Sequence, residues 1–325
     1  MQVSKSGYYY WKHTPQSPRS RQNDKIVLQI IQAFKNSRQT YGSPRIYHEL
    51  KAQGVKVSLN KVARLMNKNN IYAHFSIRHK KAKIPRNNIN FANRDLCINM
   101  NNHQNAIFHQ ITNFLKTPLA LLGVDLKNFQ FNKICHFANH PYLCKGLNNI
   151  LNREFIATTP NSKWVSDTTF VWTQQGWLYL ATVIDLYSRK VAGWSMGKNN
   201  DTALVIDALS MAIKNKPRQQ QVLLHSDQGS TYRAYEYLAL FKANNITQSM
   251  SRKGECYDNA VAESFFNTLK TELVNQQTYQ TRAQATSAIF EYIEVFYNKI
   301  RRHSTVGYYS PSDYEQAFYK ENHPT

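Results

Sequence analysis

Between residues 24 and 70, apolar positions recur at helical spacing in three short runs. Ile26, Ile30, Ile31 and Phe34 mark the first. The second opens at Ser43-Pro44, a cap residue followed by proline at the first helical position, carries Ile46 and Leu50 inward, and stops at Gly54. The third follows Ser58, with Leu59, Val62, Leu65 and Met66 on one face. A tight G-V-K-V-S connection gives the second and third runs a helix-turn-helix spacing. From Lys163 the period shortens to that of strands. K-W-V-S-D-T-T-F-V-W, W-L-Y-L-A-T-V-I-D-L-Y and K-V-A-G-W-S-M read as three strands, the first two joined by the turn Q-Q-G-W. A helix over about 201–215 follows, with Ala203, Ile206, Leu209 and Ile213 on one face. Then come a short strand, Q-V-L-L-H-S-D, a helix over about 232–243, a strand at Ile246–Met250 and a long helix from about 258. The order βββαβαβα implies a mixed sheet with helices packed on it, an α/β fold behind an all-α N-terminal region.

The stretch between these two patterned regions is different. Residues 78–86, R-H-K-K-A-K-I-P-R, form a basic linker. Residues 91–147 are rich in Asn and Phe, poor in charge and without a clear period, apart from a helix near 104–116. They offer no face to bury, so poor packing is expected of them.

Charge separates the two regions further. Residues 1–90 hold 18 Lys/Arg against only Asp24 and Glu49, and so carry +16 of the formal +21. A positive field concentrated in one segment suits a polyanion, nucleic acid first. The outer face of the third helix shows Asn60, Lys61, Arg64, Asn67 and Lys68, side chains suited to phosphates and base edges. That face alone reads equally well as the solvated side of a helical bundle; the local charge favours DNA. No apolar stretch reaches the roughly 18 residues of a membrane span, and the N-terminus lacks the apolar core of a signal peptide. Cysteines at 97, 135, 144 and 256 make no disulfide framework. Cys135, His136, His140 and Cys144 cluster, but at no standard zinc spacing, so reduced thiols in a cytosolic protein are expected.

Three carboxylates stand out. Asp167 lies inside the first strand, among Trp164, Val165, Phe170 and Val171, where a charge is costly unless paired or metal-bound. Asp227 ends the fourth strand, where α/β sheets place ligand sites. Glu263 lies on the last helix, in D-N-A-V-A-E-S-F-F. Each alone is more ordinary as a structural residue. Together they suit phosphodiester chemistry, which needs an activated oxygen nucleophile and stabilisation of charge on the phosphorus and the leaving oxygen. Two Mg2+ ions supply both, and Mg2+ takes hard oxygen ligands. Asp167 is placed to bridge the ions, with Asp227 and Glu263 holding one each; Mn2+ could substitute.

These residues sit in longer stretches that carry a resemblance. S-K-S-G-Y-Y-Y-W, T-Y-G-S-P-R-I, K-W-V-S-D-T-T-F-V-W, H-S-D-Q-G-S-T-Y, S-R-K-G-E-C-Y-D-N-A-V-A-E-S-F-F, F-Y-N-K-I-R-R-H-S and G-Y-Y-S-P-S-D-Y appear in order. The chain resembles insertion-sequence transposases of the DDE class, OrfB type, with a retroviral-integrase-like catalytic core. The match covers about four-fifths of the chain, roughly 1–86 and 149–318. The resemblance implies an RNase H-like mixed five-stranded sheet with flanking helices, plus the helix-turn-helix region. It places the acidic triad on Asp167, Asp227 and Glu263, and a phosphate-binding base on Lys270, two helical turns past Glu263. DNA contacts are also expected from Arg45, Asn60, Lys61, Arg64, Lys68, Arg301 and Arg302. The implied domains are 1–86, DNA-binding; 87–148, an atypical linker or insertion; 149–280, the catalytic core; and 281–325, a helical extension. The implied activity is metal-dependent strand cleavage and strand transfer on element-end and target DNA. The implied partners are an upstream-frame helix-turn-helix protein of the same element and further copies of this chain. The family's linker is shorter than 87–147, which leaves a decayed, DNA-binding copy as the second reading. A nonspecific nuclease of RNase H type is the third, and the helix-turn-helix and R-R-H-S tail argue against it.

Overall fold

The computed structural model describes residues 4–13, 17–73, 148–217, 220–252 and 255–322. The basic linker, the 91–147 segment with its expected helix near 104–116, and the Cys135–Cys144 cluster lie outside the described residues.

Four helices precede that gap: α1 (Lys5–His13), α2 (Pro18–Asn36), α3 (Ser43–Ala52) and α4 (Leu59–Lys68). The pattern predicts a first helix starting near 24, but α2 begins six residues earlier. Ser17 caps it by accepting from the Ser20 amide, and Pro18 opens it. That first turn is polar throughout, so hydrophobic spacing misses it. Gly42, not Ser43, is the N-cap of α3. Ser58 caps α4 as expected, accepting from the Lys61 amide. Ile26, Ile30, Ile46, Leu50, Val62, Leu65 and Met66 are buried together, whereas Leu59 points outward at 41% exposure.

The sheet is built from β1 (Lys163–Thr173), β2 (Gly176–Asp185), β3 (Val191–Gly197), β4 (Val222–Ser226) and β5 (Ile246–Met250). Spatial order is β3-β2-β1-β4-β5. The three hairpin-linked strands are antiparallel, and β4 and β5 add on parallel to β1. Between them run α5 (Thr202–Lys214) and α6 (Tyr235–Ala243), and α7 (Ala260–Glu272) follows β5. The chain closes with α8 (Arg282–Glu291), a π-helical turn over Tyr292–Tyr297, and α9 (Pro311–Asn322).

Strand alternation sends successive side chains to opposite faces, and both faces are covered. Trp164, Val183 and Leu224 pack under α5 and α6. Val165, Val171 and Ile184 join the core that α7 and the π turn share with α2–α4. The buried face of α5 is Leu204, Val205, Ala208, Leu209 and Ala212, rotated from the expected one; Ala203 is exposed. The cause is close approach. A Cβ on Gly193 would stand 2.2 Å from the Ala208 carbonyl oxygen, so β3 and α5 meet through glycine and alanine rather than through the bulkiest residues. Beside them Asn298 mimics a strand partner: its side-chain amide donates to Val191 O and accepts from Val191 N.

Charge fixes the helical region to the half that carries the sheet. Glu272, at the end of α7, has a side chain only 4% exposed and accepts both Nε and Nη2 of Arg301 at 2.8 Å. It also takes the Tyr292 hydroxyl at 2.7 Å and Arg45 of α3 at 3.4 Å. Arg302 reaches Glu49 of α3 at 2.6 Å and Tyr308 O at 2.9 Å, and its amide donates to the Tyr41 hydroxyl. His48 stacks on Tyr308 with centroids 3.8 Å apart.

Candidate active site

The β1–β4 ladder places two of the three acids. Its last pair is Val165 with His225. Asp167, inside β1, and Asp227, one residue past the end of β4, each lie two residues beyond that pair, close enough for the Asp227 charge to act on Asp167. His225 pins β4 to β5: its Nδ1 meets Ser249 Oγ at 2.8 Å and its Nε2 meets Ser251 Oγ at 3.0 Å. Burial holds this imidazole down at about 4, so it is neutral and structural at ordinary pH.

The loop after β4 aims Asp227. The Gly229 amide donates to its Oδ1 at 2.9 Å, and a Cβ on Gly229 would come within 2.9 Å of that oxygen. This explains the glycine of H-S-D-Q-G-S. Asp167 is anchored by the Thr168 amide at 2.7 Å.

Glu263 is brought in by the start of α7. Asn259 donates to Ser166 O at 3.2 Å, tying that end of the helix to β1 one residue before Asp167. Asp258, fully buried, accepts from Arg153 Nε at 2.7 Å, from Arg252 Nη2 at 3.0 Å and from Asn149 at 2.8 Å. The Arg252 bond, ahead of all else, holds its carboxyl well below the usual range. Asp258 and Asn259 lie inside a quoted motif, yet the sequence alone does not show their work. Their signal was the D-N pair four residues before the glutamate.

The three site acids are charged differently from Asp258. Asp167 is pushed up to about 7, by burial first, then by the charges of Asp227 and Glu263. Lys270 pulls in the opposite direction but does not balance them. Asp227 and Glu263 stand open to solvent on one side, and desolvation raises each somewhat. Among the described residues, no three His, Cys, Asp or Glu side chains form a ready-made metal cage. Like-charged carboxylates keep apart unless a cation draws them in. The donor set still fits a hard divalent cation: all oxygen, convergent, and in excess of positive charge.

The expected bases divide into two groups. Lys270 sits two turns beyond Glu263, with its ammonium 5.1 Å from the Phe170 ring centroid and within reach of the Asp167 charge. Asn60, Arg64 and Lys68 are exposed on α4, and Lys61 is half-buried beside them. Arg301 corrects the expectation of DNA contact, since only 3% of its side chain is exposed and its fork is filled by Glu272. Arg45 and Arg302 are half-buried and paired within the chain. His303 of the R-R-H-S tail is likewise interior, held down at about 3 by burial and the nearby arginines. The tail is a structural element and carries no argument against a nuclease.

Models of known families match most of this architecture. An HTH-like domain matches residues 21–81. The integrase core domain matches residues 157–256, and a second integrase core model matches 263–318. The chain is 33% identical over 318 residues to the "Insertion element IS600 uncharacterized 31 kDa protein" of Shigella sonnei, covering 98% of this chain and 97% of the relative. It is 33% identical over 320 residues to "Transposase InsF for insertion sequence IS3A" of Escherichia coli (strain K12), covering 97% and 91%. Among solved structures it is similar to the HTLV-2 integrase catalytic core domain in complex with magnesium (trimeric form). That likeness has 17% identity and a TM-score of 0.37, over 49% of this chain and 99% of that one.

Proposed function

The chain belongs to the family of insertion-sequence transposases that includes InsF of the IS3 elements, and on that premise we propose that Asp167, Asp227 and Glu263 are its catalytic acids. It is a DNA transposase, a polynucleotidyl transferase with an integrase core on an RNase H-like sheet behind a helix-turn-helix region. The observation that carries the site assignment is the register of β1 and β4, which sets Asp167 beside Asp227 where the two strands part.

Under this reading Asp167, Asp227 and Glu263 would hold two Mg2+ ions, with Mn2+ as a substitute, and the bound metal would supply activation of the attacking oxygen and neutralisation of charge at the leaving oxygen. The protein's part is to fix donors. Gly229 N–H orients Asp227, Thr168 N–H orients Asp167, and Asn259 sets the helix that carries Glu263. Lys270 places a positive charge where a DNA phosphate approaches Asp167. In the first step water cleaves a strand; in the second the freed 3′-hydroxyl attacks target DNA. Neither needs a covalent bond to the protein.

The exposed row Asn60, Arg64 and Lys68, with Lys61, is the proposed DNA-reading face. Arg45, Arg301 and Arg302 are left out of it. The Shigella relative is a 31 kDa protein against 37.8 kDa here, though the match runs nearly end to end in both. Neither family model touches residues 82–156. We assign the surplus to an insertion at 87–148, between a DNA-binding region 1–86 and a catalytic core 149–280 extended by 281–325. The working assembly is several copies on paired element ends, joined by the upstream-frame helix-turn-helix protein, acting in the cytoplasm on nucleoid DNA. No described helix is long and apolar enough to cross a membrane.

The test is end-joining by the purified chain with Mg2+, with and without the upstream product, on cognate and scrambled ends. Cleavage should be weak alone and end-specific with the product. Efficient, end-specific joining by this chain alone would overturn the partner. No strand cleavage under any arm would sink the activity and leave the decayed-copy reading.

A further inference from the structure

Three large aromatic side chains are exposed together near the turn end of the β1–β2 hairpin. Phe170 and Trp172 of β1 and Trp177 of β2 are 39%, 53% and 43% exposed. They touch edge to face, Trp177 lying 4.9 Å from Phe170 and 4.8 Å from Trp172. They border an open hollow of about 370 Å³, closed on its other side by Val274, Asn275 and Gln277. The hollow follows the edge of β1 that no strand covers, since the β4 ladder stops at Val165 and the next partner is the Thr173–Tyr279 bridge. Lys270 is the charged residue in its wall, and no acid lines it. The same ammonium lies over Phe170 and acts on Asp167. Asp167 and Phe170 are three residues apart on one strand and leave it on opposite faces; Lys270, over the Phe170 ring and acting on Asp167, bridges them around the open edge of β1.

We propose that this hollow is a stacking site for an unpaired DNA base next to the phosphodiester held at Asp167. The proposal rests on the assignment of Asp167, Asp227 and Glu263 to catalysis. Aromatic faces bind any base by stacking, and the neighbouring cation takes the phosphate that joins the base to the reacting strand. Asn275 and Gln277 offer amide groups to the base edge. A lysine wall without acids fits a polyanion. A second copy of the chain, the other occupant of an exposed aromatic patch, would have no use for a phosphate-sized positive pole set toward the catalytic acids. The site would hold the strand end open after cleavage, keeping the 3′-hydroxyl near the acids.

The experiment uses the full chain, in EDTA so that binding is read without chemistry. Its ligands are duplex oligonucleotides that are blunt, that end in three unpaired nucleotides, or that end in three abasic residues. The chain should bind the unpaired end about tenfold tighter than the abasic end, within the range of base–aromatic stacking. The double variant Trp172→Ala/Trp177→Ala should lose that preference while blunt-duplex affinity stays. Trp172→Phe, which keeps a stacking face, should retain most of it and controls for folding. Equal binding of unpaired and abasic ends, or a preference that survives the double variant, would overturn the site. So would an equal loss on all three ligands, or a change in sedimenting mass as the only effect, the latter assigning the patch to copy–copy contact. A separate Mg2+ cleavage assay on the same wild-type protein reports the catalytic assignment independently, so either can fail alone.

Discussion

The helix α7 carries an acid at each end, and the two live in opposite surroundings. Glu272 is interior and answered on every side: Arg301 twice, Tyr292 once and Arg45 from another helix. Burial raises its carboxyl most, but Arg301, Tyr292 and Arg45 together more than offset that and leave it below the usual value. Glu263, two and a half turns earlier, faces Asp167 with no arginine near enough to register on its titration. Asp167, on which the Glu263 charge acts, is pushed up to about 7, by burial first. Asp258 repeats the first pattern with Arg153 and Arg252. A buried acid that the chain itself has neutralised serves the fold. A convergent set that it has left unanswered awaits a cation from outside. The bases divide in the same way, with Arg301 and Arg302 answered, and Arg64 and Lys68 in no ion pair among the described residues.

The largest effect should come from neutralising the unanswered acids. Asp167→Asn, Asp227→Asn and Glu263→Gln keep shape and lose charge. Each should drop Mg2+-dependent strand cleavage to background while the melting temperature holds or rises, because like-charge repulsion is relieved. Cleavage well above background in any one of them removes that residue from the site. A marked fall in melting temperature would move it into the answered class.

Glu272→Gln should do the reverse. Removing one partner of a buried, hydrogen-bonded pair leaves Arg301 charged and alone, at a cost of about 3–5 kcal/mol. Urea unfolding should read it as a lower midpoint. Binding of DNA by the surviving folded fraction should change little. A midpoint shift under about 1 kcal/mol would mean that water replaces the carboxylate, and the contrast drawn along α7 would fail.

The pH dependence of stability should separate the two acids by sign. Without divalent cation, the folded chain keeps a proton on Asp167 up to about 7, whereas the unfolded chain loses it near 3.8. Stability from this group is complete below the lower value and is lost as pH rises through the higher one. Glu272 is lowered in the fold, so its contribution is present above the ordinary carboxylate range and lost as pH falls. In EDTA, Asp167→Asn should therefore flatten the decline of melting temperature from about pH 5 to 8. Mg2+ should do the same for the unmodified chain. If Asp167→Asn leaves that slope unchanged, the raised carboxyl is not Asp167.

What the sequence made legible follows this division. Alternation and β-branched runs gave the strands, and β5 falls on Ile246–Met250 as expected. Asp167 stands out because an acid inside an apolar strand has no local excuse, and Asp227, just past a strand end, and Glu263, on the last helix of the sheet region, join it by their places in the element order. The face of α5 was misplaced because hydrophobic size ranks Ile206 and Ile213 above Ala208 and Ala212, while close packing on Gly193 selects the small residues. Arg301 was taken for a DNA contact because a sequence shows a charge and not its partner. Glu272 lies 29 positions away and Arg45 more than 200, and neither pairing has a local signature. Asp258 shows no such role in the sequence because Asn149 and Arg153, two of its partners, lie more than 100 positions away, while Arg252, six positions off, reads as one more basic residue of the motif.

The smallest effect tests the unanswered bases. Arg64 is exposed on α4, and Lys61 is half-buried beside it. Arg302 is an equally basic residue whose guanidinium is taken by Glu49 and the Tyr308 carbonyl. Each lysine or arginine that neutralises a DNA phosphate releases about one counterion, so the slope of log affinity against log salt counts such contacts. Lys61→Ala with Arg64→Ala in the full chain should weaken duplex binding and flatten that slope by about two. Arg302→Ala should leave the slope alone and lower stability instead, through lost contacts to α3. Both slopes are measured by titrating duplex DNA over a salt series, with melting temperatures taken on the same samples. If Arg302→Ala flattens the slope as much as the α4 pair does, paired arginines at this junction open onto DNA when it binds. The division between answered and unanswered charge would then hold only for the free protein, and α3 would have to separate from the 300–308 segment on the element end.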